Sequence, residues 1–370
     1  MRVLLLTNEV SRNDGWATVG YYVQEHLDCD HLEILTRGGA DNEDCMWPVH
    51  PLISDDNHLR IDASRRDYLS IRNRLGDRPF DCVVCNLEPY LPLAYLLTRF
   101  LRKTNPAGVK LILIGHGTYI YYPFLKYPEG LLLRHFARSV NTLVTPSAFT
   151  EAKATEWFRG TTEVIPWGVD FRLYHRVEGV VREQAFVSVG QQKERKGTGH
   201  LIAAFKKLSL EYPAARLYVV GPITNEYVAL ASDLALKEKV IFTGKVGHQD
   251  LLRYYSRAMC HVLPSVNTGK AFEGYGLVHL EANACGLPTI GSSGTANQEI
   301  IVHGKTGFLC EQGDIAGLTD YMRRILSDPS SWRQMSQNAL EHARNHGWEK
   351  TARLLSRVVT SCRNDHGTGI

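Results

Sequence analysis

Residues 185–197 read "AFVSVGQQKERKG": an uncharged, mostly apolar run that breaks into a polar, cation-rich loop. "HLIAAFKKL" (200–208) follows, with Leu201, Ala204, Phe205 and Leu208 spaced to share one helical face. Strand, loop and amphipathic helix open a βαβ unit, because a strand covered by helices on both faces stays apolar along its length. The beginning of the chain repeats the pattern. "RVLLLTNEV" (2–10) leads to "VGYYVQEHL" (19–27), where Val19, Tyr22, Val23 and Leu27 share a face. Further strands are predicted at 31–36, 81–87, 109–115 and 142–147, then at 215–221, 239–244 and 260–265, with helical segments between most of them. The fold class is therefore α/β, with two doubly wound, parallel, Rossmann-like domains facing across a cleft. Pro, Gly and charge interrupt the pattern in "VIPWGVDFRLYHRVEGVV" (164–181), which places the boundary there.

The composition narrows the function. A chain of 370 residues suits two domains of about 100–200 residues each. With 44% hydrophobic and 22% charged residues it reads as a soluble globular protein. A net charge of +3 does not call for nucleic acid. The apolar run in "MRVLLLTNEV" is too short for a signal-peptide core, and "YLPLAYLL" (90–97) is too short to cross a bilayer. Eight cysteines in such a chain are expected as reduced, mostly buried thiols. Cys82 and Cys85 form a CxxC, but "FDCVVCNL" reads as a buried strand and no second CxxC exists. The expectation is a cytoplasmic protein.

Several signatures fail. "GKT" (304–306) ends like a P-loop, yet Glu299 stands where its first glycine is required. No GxGxxG follows either first strand, and neither HExxH nor GxSxG occurs. "DCD" (28–30) imitates a metal-binding acidic triplet but sits between a helix and a strand, where solvated Asp is common. "FEGYGLVHLEANACGLPTI" (272–290) is different, because two carboxylates bracket a glycine turn and an apolar helical run. The glycines of "EGYG" permit conformations closed to other residues, and the helix from Leu277 stops at Gly286 and Pro288. Its free N–H groups form an anion site. Glu281, just over one turn in, can accept two hydrogen bonds from a vicinal diol such as ribose. Glu273 stands on the outer side, where a sugar beyond the phosphates would lie.

Glu273 and Glu281 also carry a resemblance. Two glutamates separated by seven residues, with "VIFTGKV" (240–246), "LPS" (263–265), "EGYGL" (273–277), "EANACGLPTIGS" (281–292) and "HGKTGFL" (303–309) in that order, resemble the retaining GT-B glycosyltransferases of family four. "VIPWGVD" (164–170) is similar to the family's interdomain hinge, with Trp167 where Asn is usual. "HGWEK" (346–350) resembles the start of its final helices, which return to the N-terminal domain. The resemblance implies an acceptor-side domain over 1–170 with the returning helices 346–370, and a nucleotide-sugar-binding domain over 182–345.

The resemblance also implies roles. Glu281 binds ribose, while Glu273, with backbone from Gly274, Tyr275, Gly276 and Leu277, holds the donor sugar and diphosphate. Lys196 in "RKG" matches the phosphate lysine, His116 in "IGHGTY" the histidine bordering the reacting sugar, and Gly15 the loop that closes over the donor. One departure stands out. The family usually has Arg where this chain has Gln191, a loss that Lys193 or Arg195 would offset. The implied activity is retaining transfer of a sugar from a nucleoside-diphosphate-sugar to a glycan, lipid-linked or small-molecule acceptor. No cofactor and no metal are expected, since cations and a helix dipole meet the leaving charge. Peripheral membrane contact stays open. The alternatives are a sugar-nucleotide-binding protein without transferase activity and a GT-B-fold epimerase.

Overall fold

The computed structural model describes residues 1–12, 15–42, 45–57, 59–105 and 108–361. Of the returning segment expected at 346–370, residues 362–370 therefore lie outside the described residues. The chain divides into two compact units, one of Met1–Trp167 with the segment from Trp348, the other of Gly168–Gly347.

In the first unit β1 (Arg2–Leu6), β2 (His31–Arg37), β3 (Val49–Ile53), β4 (Cys82–Cys85), β5 (Lys110–Ile114), β6 (Thr142–Thr145) and β7 (Thr161–Val164) form one sheet. Their spatial order is β3-β2-β1-β4-β5-β6-β7, and every pairing is parallel. The order reverses between β1 and β4, so the loops leaving their carboxyl ends form a topological switch point, where ligands bind such sheets. Val3 to Leu6, Val83, Val84 and Leu111 to Ile114 are fully buried, which is why these strands read as unbroken apolar runs. The returning helix Trp348–Ser361 belongs to this unit. Trp348 stacks on Tyr22 with ring centroids 4.5 Å apart, and Ser356 Oγ accepts from the Asp28 amide at 3.1 Å.

In the second unit β8 (Ala185–Val189), β9 (Arg216–Val220), β10 (Val240–Gly244), β11 (Cys260–Leu263), β12 (Thr289–Ser292) and β13 (Gly307–Cys310) take the order β10-β9-β8-β11-β12-β13. The switch point lies between β8 and β11. Leu201, Ala204, Phe205 and Leu208, the predicted face of the helix Thr198–Glu211, are fully buried in its core.

The doubly wound α/β reading holds in both units. Four strands escaped it. β3, β7 and β13 lie at sheet edges, and β12 lies beside one of them. "VHPLI" carries a proline and "TTEV" alternates toward solvent, as edge strands do, so neither shows a continuous apolar run. The predicted strands 81–87, 142–147 and 260–265 overreach, because pairing stops at Cys85, Thr145 and Leu263 and the next residues form loops. Cys82 and Cys85 are buried, and the cysteines among the described residues form no disulfides. No helix among the described residues is long and apolar enough to cross a membrane.

Candidate active site

In the second unit, the loops that leave β8 and β11 press together at the switch point. Gly197 has φ +67°, and a Cβ there would lie 1.9 Å from the Pro264 carbonyl oxygen. The Val266 amide donates to the Arg195 carbonyl at 2.8 Å. This contact carries the turn Glu194–Lys196 toward residues 272–276. Lys196 Nζ lies 2.5 Å from Glu273 Oε2, and Arg195 donates to the same oxygen at 2.8 Å. Burial opposes the charge on Glu273, but Lys196 and Arg195 outweigh it and hold the carboxyl below its ordinary range. Burial also lowers Lys196, against the pull of Glu273. Two cations on one carboxylate leave an excess of positive charge. Gln191 and Lys193, on the same loop, are exposed.

The second half of this site is the helix Leu277–Ala284. Gly276 caps it at φ +91°, where a Cβ would lie 2.7 Å from Asn297 Nδ2 and 3.0 Å from His279 Cδ2. Only glycine fits there without displacement. Gly274 and Tyr275 are buried in the turn before it, and Leu277 is partly exposed. The amides of the first helical turn have no intrahelical acceptor, so this end attracts anions. Glu281 accepts from Tyr255 Oη at 3.3 Å and from Tyr174. Burial raises its carboxyl to about 7, although both hydroxyls and Lys196 oppose the rise. Behind the helix, His261 and His279 are fully buried with their Nδ1 atoms 3.3 Å apart. Burial holds both below the ordinary histidine range, His279 at about 3, so the pair is neutral.

In the first unit, His116 follows β5, and its Nε2 lies 2.6 Å from the carbonyl oxygen of Asn86, just past β4. A carbonyl only accepts, so Nε2 carries the hydrogen and Nδ1 the lone pair. Burial lowers the imidazole to about 4, so it is neutral at pH 7. Asn86 Nδ2 donates to Thr7 Oγ1 at 3.0 Å and to the Trp16 carbonyl at 2.9 Å, tying the loop after β1 to the same edge. Gly15, at the start of the helix Gly15–His26, is exposed with open space around it. Trp167, which stands where the family it resembles usually has Asn, is buried with its ring 5.6 Å from that of His116. Trp16 flanks His116 as well, with centroids 6.4 Å apart.

Thus Arg195, Lys196, Glu273, Gly276 and Glu281 gather at one switch point, whereas His116 and Gly15 belong to the other. Sequence reading missed Asn86, Glu88, Tyr174, Tyr255 and the histidine pair. Two signals of these stood in the sequence: the polar "NLE" directly after β4, and a histidine inside the otherwise apolar β11. Among the described residues, no three His, Cys, Asp or Glu side chains gather as a metal ion would require.

Residues 171–342 match the family described as Glycosyl transferases group 1, and residues 30–173 match that described as Glycosyltransferase Family 4. The chain belongs to the family-four GT-B glycosyltransferases. The transferase is 28% identical over 274 residues to the lipopolysaccharide core biosynthesis mannosyltransferase LpcC of Rhizobium leguminosarum bv. viciae, covering 64% of this chain and 76% of that one. It is 30% identical over 236 residues to the glycogen synthase of Mycobacterium tuberculosis, covering 61% of this chain and 55% of that one. The transferase thus spans only about half the length of that synthase. The crystal structure of Anabaena HepE in complex with UDP and glucose superposes with a TM-score of 0.79 at 16% identity, covering 98% and 100% of the two chains. That likeness supports the fold.

Proposed function

We propose that the transferase moves a sugar from a nucleoside-diphosphate donor to a glycan, lipid-linked or small-molecule acceptor, retaining the anomeric configuration and using no metal. The observation that carries this reading is the Arg195–Lys196–Glu273 cluster beside the glycine-capped start of the helix Leu277–Ala284, with Glu281 one turn further on. Lys196, Arg195 and the helix N–H groups stabilise the charge that develops on the diphosphate. Glu281 receives the ribose hydroxyls. His116 accepts a hydrogen bond from the reacting sugar through Nδ1. The departing phosphate takes the acceptor proton as the new bond forms on the face it leaves. Nucleoside diphosphate release with a panel of donors tests the reaction, and NMR of the product anomer tests retention. Activity should persist in excess EDTA. Loss that Mg²⁺ restores would overturn the metal-free reading.

Glu281 offers a separate measurement. Its Ala variant should bind nucleoside diphosphate about 1–3 kcal/mol more weakly, the scale of hydrogen bonds to a charged group. The ribose hydroxyls donate to the ionised carboxylate, so binding favours loss of its proton. Because burial raises the group to about 7, this part of the affinity should grow as pH rises through 7 and fade below it. The phosphates titrate nearby, so the diagnostic quantity is the difference between wild type and Glu281→Ala across pH 6 to 8, read by calorimetry. A difference of zero in a folded variant removes Glu281 from the site.

A further inference from the structure

Glu88 follows β4 and opens the short turn Glu88–Tyr90. It is a fully buried carboxylate with no assigned role. Its Oε1 accepts from the His116 amide at 2.6 Å and from the Gly117 amide at 3.4 Å. Its Oε2 is buried with no hydrogen-bond partner. A merely structural acceptor for two amides could have been a neutral amide or hydroxyl. A carboxylate with an empty oxygen is costly inside a protein, because an unsatisfied buried polar group, and still more a buried charge, forfeits its hydration. The group gripped by this carboxylate is the backbone of the histidine whose ring Asn86 orients.

We propose that Glu88 is a positioning residue for sugar transfer. Its carboxylate fixes the His116–Gly117 backbone, so that the Asn86-held imidazole presents Nδ1 to the reacting sugar. The inference rests on the reading of His116 given above. The ionised carboxylate makes the stronger, charge-assisted grip, and the protonated form a weaker one. Around Glu88 stand Cys85 on β4, Tyr90 in its own turn and His116 on the loop after β5. None of these is a cation at neutral pH. Burial raises the carboxyl to about 7, and only the amides of Glu88, His116 and Gly117 oppose it. The strong grip should therefore form as pH rises through 7.

The test is kcat at saturating donor between pH 6 and 8, with nucleotide affinity measured alongside. Wild type should rise about threefold or more across this range. Glu88→Gln, which keeps the shape but not the charge, should stay at the low value throughout while nucleoside diphosphate binds unchanged. In a His116→Ala background, Glu88→Gln should change nothing further. If His116→Ala itself leaves kcat intact, the reading of His116 fails. If His116→Ala is impaired but Glu88→Gln keeps the wild-type rate and profile, the role of Glu88 fails. A flat wild-type profile also overturns it, and this needs no variant. Should Glu88→Gln not fold, Glu88→Asp decides: a shortened carboxylate must move the midpoint or lower the plateau, and an unaltered profile ends the proposal.

Discussion

Lys196→Ala is expected to cut the initial transfer rate about 30- to 1000-fold at saturating donor, the loss of a charge-assisted contact worth about 2–4 kcal/mol in a water-poor site. The geometry explains why this one ammonium matters so much. Its neighbour on the β8 loop, Gln191, is neutral and exposed, and Arg195 is already committed to Glu273 at 2.8 Å. Lys196 also leans on Glu273, at 2.5 Å, but an ammonium has three donors and can share them with a phosphate oxygen. Removing it leaves a single cation to balance the buried carboxylate, so the excess positive charge that would receive the diphosphate disappears. Gln191→Arg should leave the rate equal or higher, because an exposed position admits the longer side chain and adds charge beside the anion. Near-normal turnover in Lys196→Ala would transfer the phosphate grip to Arg195. A dead but folded Gln191→Arg would give Gln191 a role of its own in choosing the donor.

The site was legible where chemistry is written in consecutive residues. Gly276 stands at positive φ where contacts forbid a side chain, and Lys196 follows a strand by a fixed loop, so a linear text carries them. The doubly wound sheets were legible for a related reason: β1, β4, β5, β8 and β9 are covered on both faces and keep an apolar run. What escaped lies in the third dimension. Tyr174 and Tyr255 reach Glu281 from positions 107 and 26 residues away, and nothing in "RLYHR" or "LRYYS" announces it. Glu88 is distant in sequence from His116 and grips backbone rather than a side chain, so no motif spacing reports it. His261 sits inside a strand whose other members are apolar, and its partner His279 lies on a helix, so the pairing appears only once β11 and that helix pack together. β3 and β7 stayed hidden because a proline in one and alternation toward solvent in the other break the continuous apolar run that marks the covered strands.

Gly197→Ala should both destabilise the fold and remove most of the activity. At φ +67° an alanine costs about 1–2 kcal/mol from its own backbone. The larger part is contact: its Cβ would stand 1.9 Å from the Pro264 carbonyl oxygen and 2.9 Å from the carbonyl carbon, and backbone cannot swing aside as a flexible side chain would. Either the loop after β8 or the segment after β11 must retreat. Each movement draws the turn Glu194–Lys196 away from Glu273, because the Val266-to-Arg195 backbone hydrogen bond joins the same two loops. Stability should fall by about 2–4 kcal/mol in urea unfolding, the backbone cost and an overpacking cost of about 1–3 kcal/mol taken together. The transfer rate should fall about as far as in Lys196→Ala, since the same ammonium is misplaced. Gly247→Ala is the control, because that glycine has φ −67° and open space beside it and should cost no more than about 1 kcal/mol, the preference for glycine over alanine at a helix N-cap. A stable Gly197→Ala with full activity would mean that the two loops do not touch in solution, and that Lys196 reaches the phosphates from elsewhere. A variant that is destabilised yet fully active would separate the packing of Gly197 from the placement of Lys196.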